Sequence, residues 1–313
     1  MEPQAQKVID RAKGLVEEGA DYEAHETVKS AFHRLKKKGL MEAAYDVCRE
    51  GGTMQLERGN IKAGLELGQW MLDSYLEDQC PCDDAHVSRA DAILAAFPVQ
   101  MDLSDVDVPL RELPTPLQEY SVLAGRAARW AQKMGHPEQA RRLRKRLGMY
   151  AWEAMSLSGL AVVTDALCSA REGRALGRIV AECSRSGKAE ERDLFLCRAA
   201  LVYLACSDRD DTKEGVAGVK SLLAAAEQEL GNIPSTPLMH FLTMLMEAIE
   251  LDNGPLGEFL VQQYAPALAR DMAVKDAAEK AIGVTLGVGK HANAGMGGIM
   301  QNVMDMLFGG GGG

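Results

Sequence analysis

From Val8 to Glu77 the chain repeats one device: an amphipathic stretch of up to 18 residues, recurring about every 20 residues, the first three closed by a glycine. The breaks read Gly19-Ala20-Asp21, then Gly39, then Gly59-Asn60. Val8, Ala12, Leu15 and Val16 share one face of the first stretch, and Val28, Ala31, Phe32 and Leu35 share one face of the second, which runs from Tyr22 to Lys38. The third stretch covers Leu40 to Glu57 and the fourth Ile61 to Glu77. Apolar residues at a spacing of three and four predict helices. A helix with one apolar stripe cannot bury it alone, and a short connection leaves the next helix as its antiparallel neighbour. The expected fold is therefore all-α, an α-solenoid of stacked antiparallel helix pairs with degenerate tetratricopeptide-like repeats and about 14–15 helices. The strict 34-residue tetratricopeptide register, with its fixed Trp, Leu-Gly and Pro positions, is not present.

Composition agrees. Good helix formers fill nearly every window, aromatics are 5%, and a 47% hydrophobic fraction over 313 residues supports a large core. The rhythm is interrupted between Phe97 and Pro116, where Pro98, Pro109, Pro114 and Pro116 mix with Asp102, Asp105 and Asp107, the pattern of a solvated loop. Helical patterns then continue, with breaks at Gly173, Gly187, Asp208–Asp211 and Gly231–Pro237. From Gly283 the glycines thicken into an expected tether, leading to a Met-rich amphipathic piece, Ile299 to Phe308. Such a piece suits a cap on its own solenoid or a detachable partner-binding segment. The expected divisions are 1–150, 151–282 and 283–313.

With 35 Lys plus Arg against 45 Asp plus Glu, the net charge is −10. That balance argues against a surface devoted to nucleic acid or anionic lipid. Seven cysteines, mostly within apolar helical patterns, suit a reducing compartment better than a disulfide framework. The first residues lack the basic and apolar regions of a secretory signal, and no apolar run is long enough to span a bilayer. A cytosolic protein with no direct membrane insertion is the expectation.

Signs of chemistry are few. Cys80-Pro81-Cys82-Asp83-Asp84-Ala85-His86 gathers metal-ligand types, but at a C-x-C spacing with no second pair at finger-like distance. The two cysteines better flank a helix start, with Asp83 or Asp84 as its N-terminal charge. No phosphate-binding loop, nucleophile elbow or zinc-protease motif is written, and the six histidines are scattered. The expectation is no enzyme, no catalytic residue, no metal and no cofactor. The basic run Arg141–Arg146 reads as the solvated face of a helix whose apolar positions are Leu143 and Leu147. The second helix presents Lys29, Arg34, Lys36 and Lys37 on its polar face, a pattern equally suited to solvent and to a partner.

Five segments, in order, resemble one family. Gly19-Ala-Asp-Tyr-Glu-Ala-His25 is similar to the G-D-Y-Y-E-A-H segment of the Golgi-to-ER traffic protein four family, with Asp21 in place of the first aromatic. Gly39 to Gly52 resembles its third helix, and Arg126-Ala-Ala-Arg-Trp130 with Gly135-His136-Pro137 its A-x-x-W and G-H-P segments. Leu260-Val-Gln-Gln-Tyr264 with Pro266, Leu268 and Arg270-Asp271 resembles L-x-x-Q-Y-x-P-x-L-x-R-D. Gly297 to Phe308 resembles a terminal G-G-L-L-x-N-L-L pattern.

The resemblance implies an adaptor in guided entry of tail-anchored proteins to the ER. Its N-terminal half would bind a dimeric targeting ATPase and its C-terminal half a ubiquitin-like adaptor. A tetratricopeptide co-chaperone carrying tail-anchored clients would be engaged indirectly, and in some lineages a BAG-family scaffold as well. Lys13, His25, Lys29, Arg34 and Glu66 are the expected ATPase-facing residues; Phe241, Leu245, Phe259 and Tyr264 are those expected for the ubiquitin-like partner. Aromatics in helical stripes are more often core than interface. The rival readings are a generic tetratricopeptide-like peptide- or chaperone-binding module and, more remotely, a helical enzyme.

Overall fold

The computed structural model describes residues 2–99, 114–207 and 209–288. The Met-rich piece 299–308 and most of the proline-rich segment lie outside these residues. The described chain is all-helical and divides into two compact units that meet in sequence at Met155 and Ser156.

The first unit contains α1 (Pro3–Glu17), α2 (Asp21–Lys37), α3 (Met41–Glu57), α4 (Ile61–Glu77), α5 (Asp84–Ala95), α6 (Thr115–Lys133) and α7 (Pro137–Met155). Consecutive helices pack as antiparallel neighbours, and α1 also reaches α3 while α4 reaches α6. The apolar stripe of α2, Val28, Ala31, Phe32 and Leu35, is buried.

The glycine breaks have a common cause. Gly19, Gly39 and Gly59 all adopt left-handed backbone, with φ of 78°, 74° and 80°. In each case the following N–H donates to the carbonyl five residues earlier: Ala20 to Leu15, Leu40 to Leu35 and Asn60 to Gln55. This turn satisfies the last carbonyls of one helix while reversing the chain into the next. Gly135 repeats it with His136 donating to Ala131, and Pro137 then opens α7.

The core of this unit is aromatic. Trp130 is fully buried, and its indole N–H donates to the Cys80 carbonyl at 3.1 Å. Tyr75 lies 5.0 Å from the Trp130 ring, 4.8 Å from Tyr45 and 4.9 Å from His86. The Cys80-to-His86 segment supports this cluster. Asp83 caps α5 by accepting from the His86 N–H at 3.0 Å and the His86 ring at 2.7 Å, as the helix-start reading of that segment expected. Cys80 Sγ lies 3.2 Å from the Tyr45 hydroxyl, which donates to Asp78 at 2.9 Å. The basic run also has internal work: Arg142 and Arg146 reach Asp91 on α5 at 3.2 and 2.6 Å, and Leu143 is buried.

The second unit contains α8 (Leu160–Ser169), α9 (Gly173–Ser186), α10 (Arg192–Ala205), α11 (Thr212–Leu230), α12 (Pro237–Glu250), α13 (Gly254–Gln263), α14 (Ala265–Leu268) and α15 (Met272–Leu286). Its tightest approach joins α9 to α11. A Cβ on Gly173 or Gly177 would overlap the backbone carbonyl of Gly218 or Leu222 respectively. Arg270 holds the α14–α15 turn to α10, donating to both Asp193 oxygens at 2.6 and 3.2 Å and to the Glu190 carbonyl at 3.0 Å. Asp271 caps α15 through the Ala273 N–H at 2.8 Å. The expected tether starts too early: α15 runs through Gly283 to Leu286, because Ile282, Val284, Thr285 and Leu286 are all buried.

Candidate docking faces

Lys29 lies at the centre of a charged cluster spanning α2 and α4. Its ammonium is 3.2 Å from Glu66 and 3.2 Å from Glu26, and 5.2 Å above the centre of the Trp70 ring. The hydrogen bonds it donates to Glu26 and Glu66 hold that ammonium above its ordinary pKa, so it is a permanent cation. The other Glu66 oxygen lies 3.3 Å from His25 Nε2. Trp70 is stacked against Phe32 at 5.9 Å and tilted over His33 at 4.8 Å, which fixes its indole as a platform beneath Lys29.

Three of the five residues expected at this face, His25, Lys29 and Glu66, therefore meet in one place. The other two do not join them. Lys13, on α1, is 4.0 Å from Glu50 on α3. Arg34 projects from the opposite flank of α2 into a groove shared with α1. Lys36 is held by Ser74, Glu77 and Asp78 at 2.8, 3.0 and 3.4 Å, so it is committed to the fold.

His25 is only 7% exposed. Burial lowers its pKa below the usual 6.5 despite the neighbouring Glu66, so the ring is neutral at pH 7. Because the unfolded chain binds the proton more readily, there is no penalty above about pH 6.5 and a growing one below it. Urea unfolding midpoints followed from pH 7.5 to 5.5 should therefore fall more steeply in the native protein than in His25→Gln. Parallel curves would refute a buried neutral imidazole.

Beside His25 opens a cleft of about 570 Å³ edged by Asp21, Tyr22, Gln55, Asn60 and Lys62. Tyr22 is 72% exposed and borders both this cleft and the α1–α2 groove. Tyr22 and Trp70 are the residues that pattern reading missed at this end. Tyr22 sits in the segment that carried the family resemblance, so an exposed aromatic at a helix start was the available signal.

In the second unit the four expected residues separate. Phe241 and Leu245 have no exposed surface; they face inward from α12 and hold the unit's own core, which corrects their placement at an interface. Phe259 on α13 is 56% exposed. Tyr264 is half-buried, with its ring 5.8 Å from that of Phe241. Met244, Leu251 and Met272 are further exposed apolar side chains on α12 and at the ends of α12 and α15.

All seven cysteines are buried, and burial pushes up the thiols of Cys48, Cys80, Cys82, Cys168, Cys183 and Cys197, Cys183 to about 11, against thiolate chemistry there. Among the described residues no three His, Cys, Asp or Glu side chains gather into a metal-holding group, and no helix is long and apolar enough to cross a membrane.

The family model for Golgi to ER traffic protein 4 matches residues 38–308. Protein GET4 of Arabidopsis thaliana is 22% identical, over 88% of this chain and 88% of that protein. The Golgi to ER traffic protein 4 homolog of Homo sapiens is 24% identical, over 97% of this chain and 87% of that protein. A crystal structure of C. therm. Get4 superposes with a TM-score of 0.69 at 19% identity, covering 98% of this chain and 96% of that one, and so shares the fold. The chain belongs to the Golgi to ER traffic protein 4 family, a family of adaptors rather than enzymes.

Proposed function

We propose that the protein is a non-enzymatic cytosolic adaptor in the targeting of tail-anchored membrane proteins to the ER. It bridges a dimeric targeting ATPase and a ubiquitin-like adaptor, through which a tetratricopeptide co-chaperone delivers the client. The observation that carries this reading is the family match from residue 38 to 308, which reaches into both compact units. The mechanism is effective concentration: two weak encounters become one when both partners are held on a single chain.

The ATPase contact is assigned to the His25–Lys29–Glu66 cluster. A cation flanked by two carboxylates offers a partner complementary charges of both signs, which gives fast, salt-sensitive association. The ubiquitin-like contact is assigned to the second unit around Phe259, with Tyr264 five residues further along the chain; an exposed aromatic supplies the apolar anchor of a longer-lived contact. Phe259→Glu should weaken the ubiquitin-like partner by about 30-fold or more, roughly 2 kcal/mol, and leave ATPase affinity unchanged. Isothermal titration of each partner checks this; an unaltered ubiquitin-like affinity removes Phe259 from the interface.

A further inference from the structure

The break between α11 and α12 plays no part in the adaptor reading. It runs Gly231-Asn-Ile-Pro-Ser-Thr-Pro237, and none of these residues is charged. Gly231 ends α11 in left-handed backbone, with φ of 83°, and Pro237 opens α12. Between them the N–H groups of Asn232, Ile233, Ser235 and Thr236 make no backbone hydrogen bond to the described residues, so few bonds have to open for the segment to enter another protein's cleft. A residue before proline is driven out of the helical region, and Thr236 is indeed extended, with φ of −126° and ψ of 161°. Its hydroxyl oxygen accepts from the Met239 N–H at 3.4 Å, a long bond, and its hydroxyl proton is donated to none of the described residues. Thr236 is half-buried, and Ser235 and Pro237 on either side of it are exposed.

We propose that Thr236 is a phosphorylation site for a proline-directed protein kinase, with ATP as the phosphoryl donor. Pro237 has no N–H to leave unpaired in a kinase cleft that offers none an acceptor, and Pro234, two positions before the threonine, favours an extended approach. In the transfer Thr236 Oγ1 attacks the γ-phosphorus. The new O–P bond forms as the bond from the γ-phosphorus to the departing ADP oxygen breaks, and the hydroxyl proton passes to the kinase's catalytic carboxylate. The product sets a charge of about −1.5 to −2 at the N-cap of α12. The first turn of α12 holds no carboxylate to repel it, and the N–H groups of that turn lie outside the helical ladder and point toward it. Thr115-Pro116 supplies an internal contrast. It is also a threonine before a proline, but Leu113 and not proline stands two positions before it, and Thr115 already belongs to α6.

The test incubates the full folded chain with ATP and a recombinant mitogen-activated protein kinase, and locates the phosphate by tandem mass spectrometry. Thr236 should be phosphorylated about tenfold faster than Thr115, and Pro237→Ala should slow the reaction at Thr236 by about tenfold or more. Thr236→Ala should abolish it, while Thr236→Ser, which keeps the helix cap, should still be modified. Circular dichroism confirms that each variant is folded. Phosphate on Ser235 or Thr115 instead, an unchanged rate in Pro237→Ala, or modification of a synthetic 228–242 peptide but not of the folded chain overturns the proposal. The phosphorylated chain should also unfold about 1–3 °C above the unmodified one. An unfolding temperature that does not rise overturns the seating of the phosphate on the end of α12.

Discussion

Replacing Gly177 by valine is expected to unfold the second unit. Gly177 lies on the face of α9 that meets α11, and any Cβ there would overlap the carbonyl of Leu222. The obstructing atom is backbone within a helix, so no rotamer change relieves the contact and the two helices must separate. Separation uncovers Leu176, Val180, Val219 and Leu222, all buried along this seam. Overpacking of this kind costs ~3 kcal/mol or more, a large share of the stability of an ordinary domain. Gly125→Ala supplies the opposite sign. Gly125 is interior to α6 and has nothing within 4 Å of its would-be Cβ, so the variant should gain about 0.5–1 kcal/mol in helix propensity. Urea denaturation followed by circular dichroism reads both; an unshifted midpoint for Gly177→Val would contradict the α9–α11 packing.

The second large effect concerns Lys29. Lys29→Glu removes the cation over Trp70 and sets a third carboxylate beside Glu26 and Glu66. Because the side chain is on the rim and not in the core, the fold should survive. ATPase affinity at low salt should fall by about 10–100-fold, ~1.5–3 kcal/mol, while the ubiquitin-like partner binds as before. Arg34→Glu, on the opposite flank of α2, should cost the ATPase little. Equal losses for the two variants would place the ATPase across both flanks, and no loss for Lys29→Glu would remove the cluster from the interface.

Much of the fold was legible because the sequence states its helix ends in glycine. Gly19, Gly39 and Gly59 need left-handed backbone, and each break predicted from them is found; Gly135 makes the same turn. The same turn is made without glycine at Gln79, Arg171 and Asp252, with φ of 51°, 61° and 48°. There Cys80, Glu172 and Asn253 donate to Tyr75, Leu167 and Ala248 as before. Tertiary packing imposes that conformation on residues that do not advertise it, so the break at Asp252 went unread, whereas those expected at Gly173, Gly187, Asp208–Asp211 and Gly231–Pro237 fall at helix boundaries.

The docking faces were legible by halves. Spacing along α2 put Lys29, Arg34, Lys36 and Lys37 on one polar face, but the commitment of Lys36 to Glu77 and Asp78, and of Lys29 to Glu66, depends on a neighbouring helix that no local pattern reveals. Trp70 was invisible for the same reason. Phe241 and Leu245 failed as interface residues because an apolar stripe looks alike whether it is covered by its own chain or by another. The closing segment of α15 was misread because Gly283 and Gly287 suggested a tether; Gly283 is interior to the helix and Gly287 is its left-handed cap, with φ of 68°.

The central claim is that one chain holds two partners at once. Analytical ultracentrifugation of the full chain mixed with a dimeric targeting ATPase and a ubiquitin-like adaptor tests it most directly. The account predicts a single boundary containing all three, losing only the ATPase in Lys29→Glu and only the ubiquitin-like protein in Phe259→Glu. Mutually exclusive binding, with each partner displacing the other, would contradict it.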